Sequence, residues 1–213
     1  MGFFITFEGI EGCGKTTQLR RVATALEKQG FPVVVTREPG GCPIADAIRG
    51  ILLDAANGAM VPTTELLLYA AARAQHVAEV IAPALAAGKI VLCDRFTDST
   101  IAYQGYGRNL DRQMIQQLNA LAVDTLKPNL TLLLDCPVKI GLGRAMQRIA
   151  MLEQNKEERF EQESLLFHER VRDGFLALAV AEPERFVVLD GSRTVEETET
   201  VVTEAIAARL PRS

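Results

Sequence analysis

Short apolar runs recur along this chain, separated by longer stretches whose apolar positions return every three or four residues. Such alternation predicts a parallel sheet with helices packed on both faces. Five runs read as strands: residues 3–8, 32–36, 90–93, 130–134 and 186–189. The last three each run into an aspartate, at Asp94, Asp135 and Asp190. Leu19, Val22, Ala23 and Leu26 share one helical face, and Gly30 is placed to end that helix. Further helices are predicted over 44–53, 63–87, 111–126, 138–150, 164–181 and 195–210. Pro83 lacks an N–H and should kink or divide the second of these.

Residues 147–163 stand apart because they are dense in charge of both signs. On composition they read as a solvated helix face or helical hairpin. No solenoid-length repeat or low-complexity linker interrupts the chain, so one domain over 1–213, with a short insertion at about 147–163, is expected.

Composition narrows the class. With 213 residues, 48% hydrophobic and 23% charged, the chain has the balance of an ordinary globular protein. A net charge of −4 argues against a general nucleic-acid surface. Cys13, Cys42, Cys93 and Cys136 are too scattered for a zinc site or a CxxC redox pair. The apolar stretches fall short of the ~20 residues of a membrane helix, and no signal peptide is evident. A cytoplasmic protein with free thiols is the expectation.

The strongest chemical signal is Gly9-Ile10-Glu11-Gly12-Cys13-Gly14-Lys15-Thr16, which matches G-x-x-x-x-G-K-[ST] at every fixed position. It lies between a predicted strand and an amphipathic helix, where glycines let backbone N–H groups wrap a phosphate. Lys15 should reach the transferable phosphate oxygens, and the Thr16 hydroxyl should bind Mg²⁺. This cradle alone leaves GTPase, ATPase and kinase open. A GTPase usually carries D-x-x-G after a later strand, and no aspartate here has glycine three residues on. Asn155-Lys156-Glu157-Glu158 approaches the guanine-reading N-K-x-D but ends in glutamate.

Asp94-Arg95 follows the third strand, at the sheet edge where α/β folds bind ligands. Asp94 is therefore a second candidate for Mg²⁺. The arginine speaks to the acceptor. A phosphate monoester has a second pKa near ~6, so its oxygen is a nucleophile at neutral pH without a strong base. Its difficulty is repulsion from the incoming phosphoryl group, which cations offset in a closed site. Arg37, Arg49, Arg73 and Arg95 are the candidates. Tyr69 and Arg73 stand four apart on one predicted helix, hence on one face, where they could present a ring beside a cation to a base. His76 and His168 are the only histidines, and nothing in the pattern suggests histidine catalysis.

The chain resembles bacterial thymidylate kinases from end to end. The matching elements are the P-loop from Gly9 to Thr17, Thr36-Arg37-Glu38-Pro39-Gly40-Gly41, Tyr69-Ala70-Ala71-Ala72-Arg73, Asp94-Arg95-Phe96, Ser99-Thr100-Ile101-Ala102-Tyr103-Gln104-Gly105 and Arg159-Phe160-Glu161. The resemblance implies an α/β P-loop NTPase fold, three-layered with a five-stranded parallel sheet and a helical lid, a homodimer, and ATP with Mg²⁺. It implies transfer of a phosphoryl group to dTMP. Arg95 and Arg37 would face the dTMP phosphate, Tyr69 would stack on thymine, Arg73 would approach the base, and Arg49 would lie in the same pocket. Glu11 and Glu38, with Pro39 beside it, would approach the deoxyribose or phosphate side. Thr100 and Gln104 would help read thymine, Ser99 would adjoin them, and Tyr103 would crowd the ribose 2′ position. Glu11 stands in a P-loop that lacks the arginine some relatives carry there. The resemblance therefore assigns that cation to the insertion, with Arg144, Arg148 and Arg159 as candidates. A kinase for dUMP, another monophosphate or a deoxynucleoside is the enzyme alternative. A regulatory module that has lost catalysis is the other, although Lys15, Thr16, Asp94 and Arg95 are all present.

Overall fold

The computed structural model describes residues 2–151 and 159–210. Five strands, β1 (Phe3–Glu8), β2 (Val33–Arg37), β3 (Ile90–Asp94), β4 (Leu130–Asp135) and β5 (Phe186–Asp190), form one all-parallel sheet in the order β2-β3-β1-β4-β5. Central β1, β3 and β4 are buried on both faces, which is why their sequences are continuous apolar runs rather than alternations. Edge strands β2 and β5 are only partly buried.

The helices are α1 (Lys15–Lys28), α2 (Pro43–Leu53), α3 (Pro62–His76), α4 (Ala82–Ala86), α5 (Thr97–Thr100), α6 (Arg112–Val123), α7 (Val138–Ala150), α8 (Leu165–Ala181) and α9 (Val195–Ala207). Alternate residues of β1 serve opposite layers. Ile5 and Phe7 pack with Leu19 of α1, Phe175 of α8 and Val202 of α9, while Phe4 packs with Val77, Phe96 and Val123 on the other side. The expected three-layer architecture is present.

Two segments depart from the predicted pattern. The long helix does divide, but the break begins upstream of Pro83: over Val77–Ile81 the turn widens, and the Ala82 N–H bonds to the Val77 carbonyl five residues back. A wide turn of this kind absorbs the clash and missing donor that proline brings to a helix. The second is Thr97–Gly107, not predicted as helical, where α5 runs into another wide-turn stretch at Ile101–Gly107. Its glycines and β-branched residues hide the period.

Register fixes where the chemistry gathers. Phe7 lies beside Asp94 on one flank and Leu132 on the other, and Arg37 lies beside Asp94. The carboxyl ends of β1, β2 and β3 therefore open onto one crevice, with Asp135 and Asp190 paired further along the same edge.

Candidate active site

The loop after β1 turns so tightly that two of its positions need glycine. Gly12 has φ 68, and a Cβ there would stand 2.0 Å from the Gly141 carbonyl oxygen of α7. Gly14, at the helix start, has φ 96. Lys15 folds back over the loop, its Nζ donating to the Gly9 carbonyl at 3.0 Å and the Ile10 carbonyl at 2.7 Å, with Cys13 Sγ at 3.5 Å. The Thr16 hydroxyl donates to Asp94 Oδ2 at 2.5 Å. Motif and third strand thus meet as the register requires. A hydroxyl and a carboxylate are hard oxygen donors, the set that suits Mg²⁺ when phosphates and water complete its shell.

Beside this loop lies a cleft of about 330 Å³. Thr17 lines it on one side, Arg144 and Arg148 of α7 on another, and Arg193 and Thr194 after β5 on a third. Arg144 is anchored by donating to the Gly191 and Ser192 carbonyls at 2.8 and 3.0 Å. Arg148 is 57% exposed, with Glu161 at 3.6 Å.

Arg95 joins the start of this loop to a second, more enclosed group of side chains. Its backbone is left-handed, φ 71, a conformation that costs a non-glycine residue roughly 1 kcal/mol. Its Nη1 donates to the Gly9 carbonyl at 2.9 Å and Ser99 Oγ at 3.2 Å, its Nη2 to Glu11 Oε1 at 3.1 Å, and its guanidinium lies 4.9 Å from the centre of the Tyr103 ring. Glu11 Oε1 also accepts from the Tyr103 hydroxyl at 2.5 Å. Burial alone would raise the Glu11 pKa, but His168, Arg95, Lys15 and Tyr103 together hold it well below the usual carboxylate range. Glu8 behaves oppositely. Fully buried near Asp98, it is pushed up to about 8 despite accepting from the Phe96 N–H at 2.7 Å and Ser99 Oγ at 2.6 Å.

Tyr69 is half-buried, 6.4 Å from the Phe160 ring. Burial first and the Glu65 charge second raise its hydroxyl pKa, opposed by Arg95, Arg159 and Arg49. Those arginines therefore converge around it. Arg49 Nη1 donates to the Pro39 carbonyl at 2.9 Å, and exposed Arg37 pairs with Asp46 at 3.0 Å. Thr100 is buried with no partner for its hydroxyl among the described residues, leaving that group for a ligand.

Two expectations change. Arg73 is 2% exposed and bonded inward, to Glu38 Oε2 at 2.7 Å, Asn119 Oδ1 at 2.8 Å and the Phe96 carbonyl at 3.1 Å. It braces the wall carrying Glu38 instead of standing beside the Tyr69 ring as an open cation. Glu38 in turn lies 3.0 Å from His76 Nδ1, whose other nitrogen meets Thr36 Oγ1 at 2.6 Å. Arg159, expected over ATP, lies with the Tyr69 group: its Nε donates to the Leu52 carbonyl at 2.5 Å and its Nη1 pairs with Glu65 at 2.7 Å. The reason is Glu65, fully buried and therefore in need of counter-charge. Arg108 and Gln104 Nε2 complete its shell at 3.1 and 2.7 Å. The charged insertion's residues 152–158 lie outside the described residues, and 159–163 form turns.

Sequence reasoning missed Glu8, Glu65, Arg108, Arg193 and His168. Glu65 had a signal, standing four residues before Tyr69 on one helical face. So did Glu8, a charge closing an apolar run. His168 had none, because it reaches Glu11 only through packing of distant elements.

A five-stranded parallel sheet with a phosphate-binding loop after its central strand, faced by Thr16, Asp94 and converging arginines, defines a P-loop NTPase fold. The family model for Thymidylate kinase matches residues 7–202. The chain is 69% identical over 212 residues to Thymidylate kinase of Geobacter sulfurreducens, covering all of both chains. It is 60% identical to Thymidylate kinase of Trichlorobacter lovleyi, over 97% of this chain and 98% of the other. A crystal structure of thymidylate kinase from Ehrlichia chaffeensis superposes with TM-score 0.77 at 35% identity, over 97% and 98% of the two chains. This chain belongs to the thymidylate kinase family.

Proposed function

We propose that the chain works as its family implies, transferring the terminal phosphoryl group of ATP to dTMP to give dTDP for dTTP synthesis, with the following division of labour. Residues Gly9 to Thr17 hold the ATP phosphates, and Arg144 and Arg148 attend them from α7. Thr16 and Asp94 would hold Mg²⁺, which supplies positive charge against the phosphates when bound. Lys15 and Arg95 offset charge where the two phosphate groups meet. Residues 1–213 act as one unit, with about 147–163 as the lid. Arg148 is our choice for the lid cation, because Arg159 is engaged by Glu65.

On the acceptor side, Tyr69 stacks on thymine while Thr100 and Gln104 read its edge, and Tyr103 crowds the ribose 2′ position. Arg37, Arg49 and Arg95 face the phosphate, Arg73 fixes Glu38 and the Pro39 turn, and Glu11 and Ser99 flank the sugar. The acceptor phosphate is already ionised, so no general base is required. The observation that carries this reading is the position of Arg95, one guanidinium bonded to the P-loop backbone, Glu11 and Ser99 together. Ile44, Ile51, Val61 and Leu67, on or beside α2 and α3, are each about half exposed, and this apolar set supports a homodimer. Among the described residues no helix is long and apolar enough to cross a membrane, and we place the enzyme in the cytoplasm.

ATP consumption measured against dTMP, dUMP, dCMP, dAMP and thymidine tests the assignment. Strong preference for dTMP is expected. Equal turnover of dCMP, or preference for thymidine, would overturn the pocket reading, and no dTDP formation with ATP and Mg²⁺ would overturn catalysis itself. A monomer by light scattering would remove the dimer.

A further inference from the structure

We propose that His168 is a positioning residue, holding the Glu11 carboxylate through an Nδ1–H so that Glu11 keeps its place on the acceptor side of the P-loop. The two oxygens of Glu11 have unequal surroundings. Oε1 receives Arg95 Nη2 at 3.1 Å and the Tyr103 hydroxyl at 2.5 Å. Oε2 is buried without a well-formed hydrogen bond among the described residues. His168 Nδ1 lies 3.2 Å from it. His168 has no solvent exposure, and neither ring nitrogen has an aligned partner among the described residues. Phe167 meets the imidazole edge-on at 5.4 Å.

A buried acceptor and a buried donor left unmade are each costly. Here two such atoms face one another, and each supplies what the other lacks. Hydrogen bonds that are loose or misaligned without substrate often tighten when it binds. A neutral imidazole with its proton on Nδ1 suffices, so no charge on the ring is needed.

Fold geometry explains the placement. His168 rides on α8, which packs against the Ile101–Gly107 turn carrying Tyr103. Both hands on Glu11 thus come from elements locked together, while Arg95 comes from the end of β3. Loss of the histidine contact would leave Oε2 free to turn toward Lys15, whose charge already acts on Glu11. That turn would pair off a cation that the phosphates require.

This inference rests on the acceptor-side reading of Glu11 and Arg95 given above. For the full-length enzyme, His168→Leu should lower kcat/KM for dTMP about tenfold while the KM for ATP stays within about twofold. His168→Asn, whose amide nitrogen takes the place of Nδ1, should recover most of the loss. In a Glu11→Gln background, His168→Leu should cost little more. Full dTMP efficiency in His168→Leu, equal damage from His168→Asn, or an undiminished loss in the Glu11→Gln background would each overturn the proposal.

Should His168→Leu fail to fold, ¹⁵N NMR of the wild-type histidine decides. A proton on Nδ1 supports the contact, and a proton on Nε2 alone refutes it. Glu11→Gln with unchanged dTMP kinetics would instead strike the acceptor role of Glu11, while the tautomer would still report whether the contact exists.

Discussion

The cleft beside the P-loop and the pocket around Tyr69, which we read as the donor and acceptor sides, are built on different principles. The donor cleft is lined by the P-loop and by side chains that remain partly open: Thr16 and Thr17 are exposed, and Arg148 is 57% exposed. The acceptor pocket rests on buried charges that satisfy one another. Glu65 binds Arg108, Arg159 and Gln104, Glu38 binds Arg73 and His76, and Glu11 binds Arg95 and Tyr103. A site that grips a phosphate chain common to many nucleotides can rely on the main chain. A site that must accept one base and one sugar needs several side chains held to fractions of an ångström, and buried networks supply that rigidity.

The contrast predicts that donor-side changes should act on rate and acceptor-side hubs on stability as well. Lys15→Ala should lower kcat by at least ~10²-fold, as losses of transition-state charge partners do, with little change in thermal unfolding. A large drop in Tm for this variant would break the distinction.

Arg95→Ala spans the boundary. It should reduce kcat/KM for dTMP by roughly 10- to 100-fold, with the KM for ATP much less affected. Intact dTMP kinetics would remove Arg95 from its assigned place.

Glu65→Gln probes the buried hub directly. Removing one partner of a buried ion pair costs about 3–5 kcal/mol, or roughly 6–20 °C in Tm for a chain of this size. Calorimetry showing a shift below about 2 °C would mean that Arg108 and Arg159 find other partners readily.

A further test uses pH. Burial pushes the Glu8 carboxyl up to about 8 in the folded chain, against an ordinary value of 4.5. Between those values the native state binds more protons than the unfolded chain, so this group's stabilisation is complete below about 4.5 and fades as pH rises through about 8. Glu8→Gln should therefore raise Tm relative to wild type more at pH 8.5 than at pH 5. Equal shifts at both pH values would show that Glu8 is ionised throughout.

The same contrast separates what was legible from what was not. Local order was plain in the residues. The strands begin and end within one or two positions of their apolar runs, and the P-loop was readable because its function lies in eight contiguous residues with fixed backbone demands. Even the break near Pro83 had a local cause. Asp94 and Arg95 could be placed because a parallel sheet brings every strand's carboxyl end to one edge.

By itself the sequence determined the fold class, through its periodicity, and the phosphate loop, through its motif. Tertiary structure decided which charges pair. Arg159 went to Glu65, Arg73 turned inward to Glu38, and His168 came up beneath Glu11, although 94, 35 and 157 positions separate those partners. The physical reason is desolvation. A buried charge takes whichever partner packing brings within about 3 Å, and packing is a property of the whole chain rather than of any one segment.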